Sequence, residues 1–247
     1  VPQHLKNMLL DVPDNFPTAA FDAIAEMTHD TWVGRKRALK EFAGSRNAIV
    51  YRFLACAEHG EGFRSSLEAH GATPPPRLRY EQEQHLFGFF VNGFAAVESF
   101  YYSLYVIAHA VDPVAFPLES FENQKGVTPD GTTRRFERRF AADPLTATLR
   151  EVLNDPAYAS WKGMRNVLAH RTSPGRAFST TMGRAEGWSA TYPNVDFAAT
   201  SENIPVEDGL TSARLEWLGV SLGRLMSGCE AFVSSNKHLL VGRTEGG

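Results

Sequence analysis

Residues 86–111 read LFGFFVNGFAAVESFYYSLYVIAHAV, and the fold turns on what this stretch is. It is long enough to span a bilayer, which takes about 20 mostly apolar residues. Asn92, Glu98, Ser99, Ser103 and His109 interrupt it, however, and a carboxylate near the middle of a span is costly in lipid. It therefore reads as a buried core helix. Leu86, Phe90, Gly93, Val97, Phe100 and Leu104 recur at three- and four-residue steps, as on one helix face. A second line of polar or small residues runs through Glu81, His85, Gly88, Asn92, Ala95, Ser99 and Ser103. A helix this apolar, with one thin polar seam, belongs at the centre of a bundle. The helix is expected from Leu78 to Val111, with Asp112–Pro113 ending it.

Outward from this centre, the chain organises by its breakers and caps. GATPPP, residues 71–76, cannot continue a helix and forms a stiff linker. Before it, Phe16 to Asp30 reads as a short helix, and Trp32 to His70 as one or two helices with a break near Gly44 or Gly60–Gly62. After it, Phe116 to Asp143 reads as a loop region holding RRFERR, residues 134–139, on an exposed face. Pro144 to Asn154 is a short helix. Asp155–Pro156 starts another, because Asp is a good N-cap and Pro suits the first helical turn. RAFSTTM and GWSATYP flank GRAEG and are expected to pair as a hairpin. Val206 to His238 closes the chain as an amphipathic helix. The sum predicts an all-α fold, an up-and-down helical bundle with an irregular or β-hairpin insertion at about 173–206. Residues 1–70 form an N-terminal helical extension, and 77–240 the bundle.

Composition sets further bounds. The chain has 247 residues, 43% hydrophobic content and a net charge of -3, ordinary values for a globular protein. Cys56 and Cys229 lie far apart with no metal-ligand spacing around them, so each reads as a buried thiol. No basic segment followed by an apolar run marks a leader peptide, and a cytoplasmic location without membrane partners is expected. There is no Walker loop, dinucleotide fingerprint, G-x-S-x-G or H-E-x-x-H. No metal site and no cofactor is expected.

One stretch concentrates charge against this acidic background. WKGMRNVLAHRTSPGR, residues 161–176, holds Lys162, Arg165, His170, Arg171 and Arg176 and no acidic residue. At about 100° per residue, Ala157, Trp161, Met164 and Leu168 form the packing stripe. Asn166 and His170 share a face more than a right angle away, with Gly163 beside them. Arg165 sits roughly 140° around the helix from His170. His170, Lys162 and Arg171 are the residues to complement the helix C-terminal dipole or solvate a surface. Equally, Asn166 and His170 suit a hydrogen-bonded structural interface between two copies.

Arg165-Asn166-Val167-Leu168-Ala169-His170 also resembles the R-x(4–6)-H signature of the HEPN superfamily, which typically has a polar residue after the Arg, here Asn166. The resemblance covers residues 77–240; residues 1–70, the charged loop at 116–143 and the 173–206 insertion have no counterpart. It implies an up-and-down bundle of four or five helices that dimerises, with both motifs lining one cleft. Many members are metal-independent RNases; others are binding or scaffold modules. By resemblance, His170 is the catalytic histidine, Arg165 the phosphate and transition-state contact, and Asn166 the polar residue that tunes the pair.

The chemistry suits these residue types. Cleaving RNA without metal needs a base for the 2′-OH proton and an acid for the leaving 5′-oxygen, and imidazole serves either role. A fixed guanidinium stabilises the charge that builds on phosphorus. Lys162, Arg171, Arg176 and Arg184 are candidates to hold flanking phosphates, and Trp188 or Tyr192 to stack bases; ordinary loop composition also accounts for these residues. Asn92, Glu98 and Tyr102 on the central helix are supporting candidates. Glu98 needs a partner, and Arg165, another cation or an exposed position would each serve. Three readings stand at this point. One is a HEPN-like endoribonuclease of toxin or defence type, a homodimer acting on RNA, with a protein partner such as an antitoxin. The second is a non-catalytic HEPN-like module for nucleotide, RNA or protein. The third is an all-α protein whose RNVLAH is coincidental. The net charge of -3 opposes broad RNA affinity and the local basic segment favours it.

Overall fold

Three long helices carry much of the chain: α2 (Lys36–His70), α3 (Pro76–Val111) and α8 (Gly209–Val241). The computed structural model describes residues 3–5, 10–29, 36–170, 175–180, 188–197 and 200–241. In chain order the other elements are β1 (Gln3–Leu5), β2 (Leu10–Val12), α1 (Thr18–His29), α4 (Phe121–Lys125), α5 (Pro129–Arg139), α6 (Pro144–Asn154), α7 (Pro156–His170), β3 (Ala177–Thr180), β4 (Trp188–Phe197) and β5 (Thr200–Pro205). The fold is all-α with a small sheet inserted between α7 and α8. That insertion is an antiparallel sheet of order β3-β4-β5, one strand more than a hairpin. Among the described residues no helix is long and apolar enough to cross a membrane.

The chain divides into two compact units, each drawing on both sides of the 71–76 linker. The first comprises residues 1–51, 95–154 and 219–247. Phe116, Phe136, Phe140 and Phe232 cluster at its centre, with ring centroids 5.0–5.8 Å apart. The segment expected as a loop holds a helix here. Thr128 caps α5 by accepting from the Gly131 amide at 3.1 Å, and Pro129 occupies the first turn. Phe136, within RRFERR, is fully buried, while Arg134 and Arg139 of the run find carboxylates and Arg135 donates to the Ala115 carbonyl. Arg134 pairs with Asp130 at 2.8 Å, Arg139 with Asp112, and Arg150 of α6 holds Glu137 through two bonds of 2.7 and 2.9 Å. Two of the four arginines of the run are thus paired within this unit.

The second unit comprises residues 52–94 and 155–218. Its core is built on Trp161 of α7. The indole stacks on Phe89 at 5.1 Å and donates to the Phe90 carbonyl at 3.1 Å. Gly93 makes this contact possible, since a Cβ there would lie 2.2 Å from Trp161 Cζ2. The stripe Leu86, Phe90, Gly93, Val97, Phe100 and Leu104 is buried along its whole length, as its spacing predicts. Within the polar seam, Asn92 donates to the Gly88 carbonyl and Ser99 to the Ala95 carbonyl, each at 2.8 Å. These side chains satisfy themselves one turn back, so the seam needs no solvent. No break occurs at Gly60–Gly62: α2 runs on through both, because Gly60 receives Phe89 and Gly62 receives His85 from α3. Gly44 lies within α2 as well, with open space around it.

Candidate functional site

Asp155 opens α7 as a cap. Its Oδ1 accepts from the Ala157 amide at 2.8 Å and its Oδ2 from the Trp217 indole at 2.9 Å. The helix then runs without interruption to His170, so Arg165, Asn166 and His170 share one rigid element. Tyr158, Trp161, Met164 and Val167 are buried along it, which places the packing side slightly to one side of the predicted stripe; Ala157 and Leu168 are half-buried. Arg165 lies at the edge of that packing side. Its guanidinium carbon is 4.3 Å from the centroid of the Phe94 ring, and Phe94 in turn meets Tyr158 at 5.6 Å. A guanidinium on a ring face is attracted by the ring quadrupole by about 0.5–2 kcal/mol, so the arginine is held in place along α3. Asn166 and Gly163 are half-buried and Lys162 is exposed. His170 is the last residue of α7; its side chain, and all of Arg171 and Arg184, lie outside the described residues.

Arg176, a candidate to hold a flanking phosphate, lies in a buried cluster. Its side chain is 0% exposed. Nε donates to Glu83 at 2.8 Å, and Nη1 donates to the Gln82 side chain at 2.7 Å and to the Ala72 carbonyl at 3.2 Å. Tyr192, proposed to stack a base, is buried in the same cluster and donates to Glu83 at 2.9 Å. Burial first, and the Glu83 carboxylate second, push its phenol well above the usual range. The cluster joins β3 and β4 to the start of α3 and to the linker. To reach a phosphate this guanidinium would have to give up its buried bonds to Glu83 and Gln82. The side chain of Trp188 lies outside the described residues.

The supporting candidates on α3 part company. Asn92 belongs to the second unit and turns back onto its own helix. Tyr102 belongs to the first unit and donates to Glu41 of α2 at 3.0 Å. Glu98 lies in the first unit and is half-buried. Sequence reasoning did not single out Phe94, Gln82 or Glu83. Glu83 had a signal, a carboxylate at the polar start of an otherwise apolar helix; Phe94 had none, since nothing in the spacing ties it to Arg165. Near the Arg176 cluster an open groove of about 580 Å³ is lined by Pro74, Pro76, Arg79, Tyr80 and Phe178 among others. Tyr80 and Phe178 are 57% and 46% exposed, so aromatic faces are on offer there. Among the described residues no group of three or more His, Cys, Asp or Glu is placed to hold a metal ion.

Comparison with known proteins finds no matching family model, no similar curated protein and no similar solved structure. The reading of the site therefore rests on its residues and their surroundings.

Proposed function

We propose that this chain is a HEPN-like endoribonuclease that cleaves single-stranded RNA without a metal ion, using Arg165, Asn166 and His170 from two copies in one cleft. The observation that carries this reading is the setting of Arg165. The R-N-x3-H run lies on one capped helix, and the guanidinium rests on Phe94 at 4.3 Å. A guanidinium held on a ring is fixed in position, so it loses little freedom when it meets a phosphate. One imidazole takes the 2′-OH proton as O2′ bonds to phosphorus. The bond from phosphorus to O5′ breaks, and a second imidazole gives O5′ its proton. The products are a 2′,3′-cyclic phosphate and a 5′-hydroxyl. One chain supplies one such histidine, so two-fold pairing supplies the second. Exposed Tyr80 and Phe178 offer faces for unpaired bases. A toxin or defence role in the cytoplasm, with an antitoxin-like protein partner, belongs to the same reading.

The test is cleavage of single-stranded RNA in excess EDTA, with the product ends identified. His170→Ala should abolish cleavage and leave RNA affinity nearly intact. Arg165→Ala should lower both, because it removes charge from the phosphate. Cleavage that survives His170→Ala refutes the mechanism. A second reading, a non-catalytic HEPN-like module, is favoured by one observation: Arg134, Arg139, Arg150 and Arg176 are spent on carboxylates of the chain itself. A protein that binds RNA or nucleotide and never cuts would be that module.

A further inference from the structure

His59 on α2 and His85 on α3 face each other across the two helices, Nδ1 to Nδ1, at 3.3 Å. Their ring centroids are 5.6 Å apart, which is that gap plus one ring radius on each side. The two nitrogens therefore lie on the line between the rings, each aimed at the other. Glycines make this possible. A Cβ on Gly88 would meet His59 Nε2, Cδ2 and Cε1 at 2.3, 2.4 and 2.5 Å, so that ring lies flat on Gly88. A Cβ on Gly62 would meet His85 Cε1, Nδ1 and Nε2 at 2.3, 2.6 and 2.8 Å. Each histidine sits three residues before the glycine that seats the other ring, so H-x-x-G occurs on both helices.

Such a line suits one proton. In the neutral pair one ring donates and the other accepts. A first added proton settles on an outer nitrogen and makes the bridge charge-assisted, hence stronger. A second would set N–H against N–H on the same line, between two cations. A cation chelated by both nitrogens would sit off that line, and no third metal-ligating side chain joins them among the described residues. We propose that His59 and His85 form a one-proton clamp between α2 and α3, which holds while a single proton bridges the two nitrogens and lets go when both rings are fully protonated.

The surroundings favour that behaviour. Burial first, and the charge of His85 second, hold His59 below the ordinary histidine value, while Glu58 on the same helix acts the other way. Glu81, one turn before His85 on α3, is paired with Arg77 at 3.1 Å. Glu61 on α2 is paired with Arg64, which also lies 3.7 Å from Asp208 just ahead of α8. From α8 itself, Thr211 packs at Gly60. Of the clamped helices, α3 also seats α7, through Gly93 against Trp161, so acid loosens the ground on which the R-N-x3-H helix stands. This holds whether or not the chain cuts RNA.

Histidine ring NMR of the full chain, titrated from about pH 8 to about pH 4, tests it. The two rings should titrate as a coupled pair, in steps more than about one pH unit apart. Amides in 52–64 and 80–90 should lose exchange protection at the lower step. His85→Gln should turn the His59 titration into one step nearer the ordinary value and remove the acid loss of protection. Two independent single-step titrations in the wild type overturn the proposal, as does an unchanged His59 curve in the variant. If His85→Gln does not fold, the wild-type titration decides alone.

Discussion

Replacing Gly93 with alanine should destabilise the protein, although alanine is the better helix former. In a helix interior the exchange by itself gains about 0.5–1 kcal/mol. At this position the new Cβ would stand 2.2 Å from Trp161 Cζ2 and 3.0 Å from Cys56 Sγ. To reach ordinary contact the indole must retreat by roughly 1 Å or more. It has nowhere to go: Trp161 is 1% exposed, stacked on Phe89 and bonded to the Phe90 carbonyl. Overpacking of this kind costs about 1–3 kcal/mol, and losing the indole hydrogen bond adds about 1. The net expectation is a loss of about 1–3 kcal/mol. Gly44 is the control. It is exposed on α2, and a methyl group there would have nothing within 4 Å, so Gly44→Ala should gain about 0.5–1 kcal/mol. Urea unfolding followed by tryptophan fluorescence and far-ultraviolet circular dichroism reads both variants. A Gly93→Ala protein as stable as Gly44→Ala would refute the packing argument.

Three further outcomes are expected. Glu83→Gln strands the buried Arg176 charge and should cost about 3–5 kcal/mol, whereas Glu151→Gln, which breaks the exposed pair with Arg224, should cost less than about 1; equal losses would show that the buried cluster does not anchor the sheet. The Arg139 hydrogen bond, followed by the Ala115 amide, holds the Asp112 carboxyl below the usual range. Its stabilising effect is present above the unfolded pKa of about 3.9 and is lost as pH falls through the folded value, so Asp112→Asn should shrink the stability difference between about pH 6 and about pH 3; urea midpoints at the two pH values check this. Burial pushes the Cys56 thiol far above its ordinary range and Cys229 up to about 12, so neither should react with a thiol reagent until the protein is unfolded, and rapid labelling of the native chain would contradict their burial.

The helices were legible where their burial leaves a period or a cap in the residues. The α3 stripe and the Asp155–Pro156 start of α7 follow from spacing and capping alone. The signals that misled were glycines and arginines. Gly60 and Gly62 look like breakers, yet their missing side chains are filled by Phe89 and His85 from another helix. That is a tertiary fact, and no local pattern reports it. RRFERR looks like a solvated loop, yet Phe136 is core and the flanking Thr128 cap makes a helix of it. Of the candidate site, the helix that bears Arg165, Asn166 and His170 could be read in advance, while its aromatic support could not. The surroundings of Arg176 and Tyr192 could not be read in advance for one reason: their partners Glu83 and Gln82 lie about a hundred positions away in the chain, with separations of 93, 94 and 109 residues.

Several of the arginines of this protein are paired within the chain. Arg139, Arg150 and Arg176 each reach a carboxylate, and Arg135 is spent on the Ala115 carbonyl. These cations serve as internal wiring, in a chain whose net charge is already -3. Affinity for a nucleic-acid backbone comes from phosphates neutralised, with a salt slope of about -0.7 for each contact on a single strand. Arginines already paired with carboxylates add little to such contacts. Binding of RNA would then lean on base stacking, for which Tyr80 and Phe178 are exposed, and on a second copy that doubles every contact. Under the ribonuclease reading the proposed mechanism asks for that second copy independently, because one R-N-x3-H run supplies one imidazole and the proposed cleavage uses two. Charge and mechanism thus impose the same requirement, and the ribonuclease reading stands or falls with the dimer.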